Sequence, residues 1–280
     1  MNKLVFSISC PDRPGIVYAV TGLLVTVGGN IMESQQFNDP ESGIFFIRIE
    51  AEVPGGRATI ENAFAALAAN FNMTYTIAEA DRPLRTLIMV SKEAHCLTDL
   101  LSKQREGRLP MDVVGVVGNH EDLRPIADFY GVDFIHIPIT KDTKDAAEAE
   151  LLKLIADREV QLVVLARYMQ ILSAGVCEKL AGNVINIHHS FLPSFKGARP
   201  YAQAHSRGVK LIGATAHYVT TDLDEGPIIE QDVVRVSHAD DPAELMAMGR
   251  EVERQVLSRA VKWHAEHRIL MNGTKTVVFP

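Results

Sequence analysis

Cysteine is scarce, with three residues in a chain of 280. Cys10, Cys96 and Cys177 are odd in number and widely separated, which excludes a disulfide framework or a CxxC metal knuckle and leaves them as small buried hydrophobes. Long apolar runs are missing too. The opening MNKLVFSISCPDRPG is too short and too interrupted for a signal or membrane-spanning segment, so the expectation is a cytoplasmic protein with no membrane partner. There is no low-complexity tract and no repeat at solenoid period. Basic blocks interleaved with aromatics are also absent. A net charge of −7, from 28 Lys+Arg against 35 Asp+Glu, argues against nucleic-acid binding.

What remains is a globular composition, 47% hydrophobic and 22% charged, in a chain longer than one hydrophobic core usually serves. Two domains are expected, 1–82 and 83–280, joined at Ala80-Asp81-Arg82-Pro83-Leu84. In the first, apolar alternation marks strands at Leu4–Ser9, Ile44–Val53 and Tyr75–Ala78. Helical spacing puts Ile16, Val20, Leu23, Leu24 and Val27 on one face, and Ile60, Phe64, Leu67 and Phe71 on another. The implied order, strand-helix-strand-strand-helix-strand, is the ferredoxin-like unit.

Within that unit CPDRPGIV forms a turn that starts a helix at about Pro14 or Gly15, and Gly28-Gly29-Asn30 leads into the second strand. Together with the element order this resembles an ACT domain. The resemblance implies a small-molecule regulatory module that takes an amino-acid effector at Asp12, Arg13, Pro14 and Gly15 and pairs with a second copy, giving a homo-oligomer. A pure oligomerisation domain is an equal reading, because fold alone does not settle function.

After the junction, apolar runs at Leu84–Val90, Val113–Val117, Phe134–Ile139, Leu162–Leu165 and Val184–Ile187 alternate with helical segments, which predicts a doubly wound, mostly parallel α/β sheet. Functional residues should then gather at the carboxyl ends of the strands. Asp241-Pro242-Ala243-Glu244 reads as the capped start of a long helix whose stripe Leu245, Met248, Val252, Val256 and Leu257 faces the core.

The richest segment is NVINIHHSFLPSFKG, residues 183–197. Strand alternation turns Asn186 and His188 to the same side, an amide donor beside an imidazole. The turn Asp222-Leu223-Asp224-Glu225-Gly226-Pro227 supplies carboxylates that could orient that ring. Such a set suits attack on a carbonyl. Asn186 and a protonated His188 would donate to the developing oxyanion, and Asp224 would act as general base.

These residues, with VVLARYMQILS before them and GVKLIGATAHYVTTDLDEGPII after, resemble the formyltransferases that use 10-formyltetrahydrofolate, over about residues 84–280. The resemblance implies catalytic roles for Asn186, His188 and Asp224. It also implies a pterin pocket walled by Met169, Gln170, Ile171, Leu172, Thr221, Asp222 and Leu223, with no metal and no permanently bound cofactor. One departure bears on the reaction. Transferases with a phosphorylated amine acceptor carry a Gly-rich turn after the first strand of this domain, whereas here the chain reads Val90-Ser91-Lys92-Glu93-Ala94-His95-Cys96-Leu97. Without glycine the backbone cannot approach a phosphate closely, and Glu93 repels it. Water is then the simplest nucleophile. An ACT-like unit ahead of such a domain is the arrangement of the formyltetrahydrofolate deformylases, which implies hydrolysis to tetrahydrofolate and formate, supplying formate and balancing the one-carbon folate pool.

Two other functions stay open, an amine-accepting formyltransferase and a noncatalytic amino-acid and folate sensor. Duller readings apply to single residues as well. His189 reads as structural, Asp222 and Glu225 as solvated turn carboxylates, and His95 and His120 as either acceptor-side or surface groups. A metal held by His188, His189 and His217 is an uneconomical reading, since the carbonyl chemistry needs no Lewis acid.

Overall fold

A computed structural model describes residues 2–191 and 200–280; the Leu192–Gly197 part of the segment quoted above lies outside the described residues. The chain forms two compact units, residues 1–83 together with Trp263–Pro280, and Leu84–Lys262.

In the first unit, β1 (Asn2–Pro11), α1 (Ile16–Thr26), β2 (Asn30–Asp39), β3 (Ile44–Val53), α2 (Arg57–Phe71) and β4 (Thr74–Glu79) follow one another. The strands form an antiparallel sheet in the order β2-β3-β1-β4. Alternation explains its inner face. Leu4, Phe6, Ile8, Ile47 and Ile49 turn toward Ile16, Val20 and Leu24 of α1 and Ile60 and Phe64 of α2, all at 0–2% exposure. Each such side chain contributes about 1.5–3 kcal/mol by leaving water.

In the second unit come β5 (Leu84–Val90), α3 (His95–Arg105), β6 (Met111–Gly118), α4 (Arg124–Tyr130), β7 (Phe134–His136), α5 (Lys144–Asp157), β8 (Leu162–Leu165), α6 (Ala174–Lys179) and β9 (Val184–His188). There follow α7 (Pro200–Ser206), β10 (Leu211–Tyr218), β11 (Ile228–Arg235) and α8 (Pro242–Ala265). The seven-stranded sheet runs β11-β10-β9-β8-β5-β6-β7. From β9 to β7 it is parallel, whereas β10 and β11 are antiparallel. Leu87, Val163, Leu165 and Val184 pack against Leu151 and Ile155 of α5 and Val176 of α6. At the start of α8, Asp241 Oδ1 accepts from the backbone N–H of Ala243 and Glu244, and Glu244 returns a bond to the N–H of Asp241, a complete capping box. Pro138 has no N–H for a ladder, and β7 stops at His136, short of the expected Ile139.

The last residues, expected with the second domain, do not stay with it. Trp263–Pro280 belongs to the first unit, where β12 (Ile269–Asn272) and β13 (Lys275–Val278) form a hairpin. The cause is the outer face of the first sheet. Phe46 points there, and Leu270 and Phe279 bury it. Arg268 pairs with Glu33, which also pairs with the buried Arg48. Among the described residues no helix is long and apolar enough to cross a membrane.

Candidate active site

The strand order reverses at β5. The chain runs outward through β6 and β7 and then returns to place β8 on the other side of β5, which opens a crevice at the strand ends. A cavity of about 350 Å³ is built there from the segment after β8, the end of β9, and the turn between β10 and β11. All ten residues expected for catalysis and for the pocket wall line it.

Asn186 and His188 lie two apart on β9, with Ile187 between them turned to the other face and 3% exposed. Antiparallel pairing sets His217 of β10 directly opposite Asn186, and Asn186 Nδ2 stands 3.2 Å from His217 Nε2. His217 is 2% exposed, and its Nδ1 donates to its neighbour's carbonyl, Tyr218 O, at 2.9 Å. In the sequence alone His217 stands out only as a candidate metal ligand. Its place beside Asn186 follows from strand register, which spacing along the chain does not reveal.

Asp224 arrives from the turn. The Tyr218 N–H bonds Pro227 O at 2.9 Å and closes the loop, and Asp224 within it adopts φ 58. That left-handed conformation costs a residue other than glycine about 1–3 kcal/mol and is least unfavourable for Asn and Asp. The loop also brings Gly226 so close that an added Cβ would stand 1.8 Å from Tyr218 O. Held this way, Asp224 reaches His188 Nδ1 at 3.3 Å and His217 Nε2 at 3.6 Å. Hydrogen bonding from His188 first, and then from His217, outweighs desolvation and holds its carboxyl well below the usual carboxylate range. It is an anion whose charge is committed to two rings.

The remaining wall is apolar and open. Met169, Ile171 and Leu223 are 59%, 60% and 60% exposed, so large hydrophobic surface faces the cavity rather than the core. Met169 is anchored by its backbone, whose N–H donates to the buried Ser91 Oγ at 2.9 Å at the end of β5. His189 stacks on His188 with ring centroids 4.8 Å apart and accepts at Nδ1 from Arg167 Nη1 at 2.9 Å. Burial, then the Arg167 charge, lowers its pKa to about 4, which keeps it neutral.

His120 lines neither this cavity nor the second one near α8, whereas His95 lines the latter. His95, Cys96 and Glu253 bring ligand-type atoms within 4.8 Å of one another. Burial raises the Cys96 thiol well above its usual range, and Arg167 stands 3.4 Å from Glu253, so this group suits an ion pair better than a divalent cation. At the first unit's loop, Asp12, Arg13, Pro14 and Gly15 are exposed. Asp12 accepts from Asn38 at 2.9 Å, Arg13 lies over the Phe71 ring at 4.1 Å, and Gly15 has φ 94 before α1.

Residues 84–261 match the formyl transferase family model. The chain is 50% identical to formyltetrahydrofolate deformylase of Corynebacterium sp. (strain P-1) over 277 residues, covering 98% of this chain and 97% of that one. It belongs to the formyltetrahydrofolate deformylase family. Among solved members, the formyltetrahydrofolate deformylase of Burkholderia mallei ATCC 23344 superposes with a TM-score of 0.96 at 48% identity, covering 100% of both chains. Glycinamide ribonucleotide transformylase 1 of Symbiobacterium toebii matches at a TM-score of 0.66 and 30% identity, over 71% of this chain and 95% of its own. The likeness to deformylases therefore spans both units, and the likeness to that transformylase covers less of the chain.

Proposed function

We propose that this chain hydrolyses 10-formyltetrahydrofolate to tetrahydrofolate and formate, as the names of its relatives indicate for them. The observation that carries the reading is the convergence of Asn186, His188 and Asp224 in one cavity whose other wall is exposed Met169, Ile171 and Leu223. A flat pterin ring is a chemical match for that wall, with Gln170, Leu172, Thr221 and Asp222 completing it.

In the reaction a water oxygen bonds to the formyl carbon, the bond from that carbon to N10 breaks, N10 takes a proton and formate leaves. Asn186 Nδ2 and the His188 ring nitrogen turned away from Asp224 donate to the oxygen that becomes negative. A carboxylate with so little proton affinity at rest serves first to orient both rings. Asp224 becomes an effective base once the attacking water has acquired positive charge. Purified protein given 10-formyltetrahydrofolate alone should release formate. No release, with release restored by an added amine, would convert the assignment to a transferase.

The first unit's element order and its Asp12–Gly15 loop support an ACT-like module that binds an amino acid and pairs with a second copy. Titrating the twenty amino acids against formate release by the full chain tests this. An effector whose action disappears in Asp12→Ala supports the loop, and the absence of any effector favours oligomerisation alone.

A further inference from the structure

A second cavity of about 310 Å³ is lined by Glu93 and His95 near the start of α3, Tyr201 of α7, and Arg250 and Glu253 of α8. Among the described residues one side chain lines both this cavity and the catalytic one, and it is Arg167. The two cavities meet across it.

Arg167 is held at both of its edges. Nη1 donates to His189 in the catalytic cavity, and Nε lies 3.4 Å from Glu253 Oε2 on the other side. Glu253 is itself fixed, 1% exposed, accepting from His95 Nε2 at 2.8 Å and from the Tyr201 hydroxyl at 3.0 Å. Burial alone would raise its carboxyl; the His95 bond and the Arg167 charge bring it below its usual value. Across the cavity Arg250 pairs with Glu93 at 2.7 Å. Among the described residues each carboxylate here is matched by a cation, Glu253 by Arg167 and Glu93 by Arg250. Arg167 also sits at φ 63, a conformation that glycine adopts freely and arginine does not. A long, bonded side chain is thus kept at a backbone position better suited to none.

We propose that Arg167 is the specificity-determining residue that makes this site hydrolytic, because its side chain separates the second cavity from the formyl carbon so that water reaches the carbon and an amine does not. The inference rests on the deformylase reading and adds to it the means by which an acceptor is refused. A transferase needs room beside the formyl carbon; a hydrolase needs that room closed to anything larger than water.

Replacing Arg167 with glycine removes the partition and relieves the backbone at that position. The test supplies 10-formyltetrahydrofolate and hydroxylamine, a small amine uncharged at neutral pH, and measures formate and formohydroxamate together. Transfer requires the hydroxylamine nitrogen to bond to the formyl carbon, the bond to N10 to break, and one proton to pass to N10. Wild type should give formate almost alone. Arg167→Gly and Arg167→Ala should raise the ratio of hydroxamate to formate by at least about tenfold, and Arg167→Lys, which keeps a long side chain, should stay at the wild-type ratio. An unchanged ratio in the glycine and alanine variants overturns the partition while leaving the hydrolase reading intact. Loss of both products with folate still bound overturns it as well, since the side chain would then serve the reaction itself. A wild type that releases no formate without amine would instead defeat the hydrolase reading.

Discussion

Asp224 Oδ2 stands 3.3 Å from His188 Nδ1, while its other oxygen stands 3.6 Å from His217 Nε2, so one carboxylate orients two rings that come from different strands. Asp224→Asn keeps the shape and loses the charge. Turnover should fall by about 10²–10⁴-fold, with folate affinity nearly unchanged because the apolar wall is untouched. Single-turnover formate release and equilibrium folate binding, measured on the same sample, check this; unaltered turnover would remove Asp224 from the chemistry.

Gly226 is the closest packing point of the loop that delivers Asp224. An added Cβ would stand 1.8 Å from Tyr218 O and 3.3 Å from His217 Nδ1. Gly226→Ala must therefore push the loop outward and disturb the carbonyl that His217 bonds. The expected result is at least as great a loss of turnover as in Asp224→Asn, together with a lower melting temperature.

Ser91 joins the end of β5 to the pocket wall, donating to Asn119 Oδ1 at 2.7 Å and accepting from the Met169 N–H at 2.9 Å. Ser91→Ala strands both partners in a site where the serine is 4% exposed, at a cost of about 1–3 kcal/mol. Because Met169 belongs to the wall rather than to the reacting groups, KM should rise more than kcat falls. Steady-state kinetics over a range of folate concentrations separates the two.

How much of this could be read in advance depended on the range of each signal. Asn186 and His188 were legible because strand alternation is local, and the cap at Asp241 because it lies within one turn. His217 and Arg167 were not. The first acquires its meaning from register with β9, the second from a contact with Glu253, which is far along the chain. The hairpin of β12 and β13 escaped for a related reason: its runs are short, and what they cover, Phe46, sits near the opposite end of the sequence.

Stability should respond to acid through histidines that fold in the neutral form. His189 is lowered from 6.5 to about 4 by burial and by Arg167, and His264 from 6.5 to about 4 by burial and by His267. Since the folded-state values are depressed, the unfolded chain binds more protons in this interval; the stabilisation is complete above pH 6.5 and is lost as pH falls toward 4. Melting temperatures across that range should decline with falling pH, and His189→Gln should flatten part of the slope. A slope identical to wild type would show that His189 does not contribute.

Arg48, 1% exposed, pairs with Glu33 at 2.7 Å and donates to Glu266 O at 3.1 Å. Arg48→Ala leaves Glu33 with Arg268 as its partner but takes the donor from Glu266 O, and should cost about 1–3 kcal/mol. Trp263, the single tryptophan, lies in the segment that Arg48 helps to hold, so its fluorescence should shift at a lower urea concentration than in wild type.

The return of Trp263–Pro280 to the first sheet sets an order of events during synthesis. The ribosome delivers the strand bearing Phe46 early and its cover, Leu270 and Phe279, more than two hundred residues later. A nascent chain must carry that greasy patch uncovered while the whole of Leu84–Lys262 is made. A stop ahead of Leu270 would leave a defect in the part of the molecule that was made first.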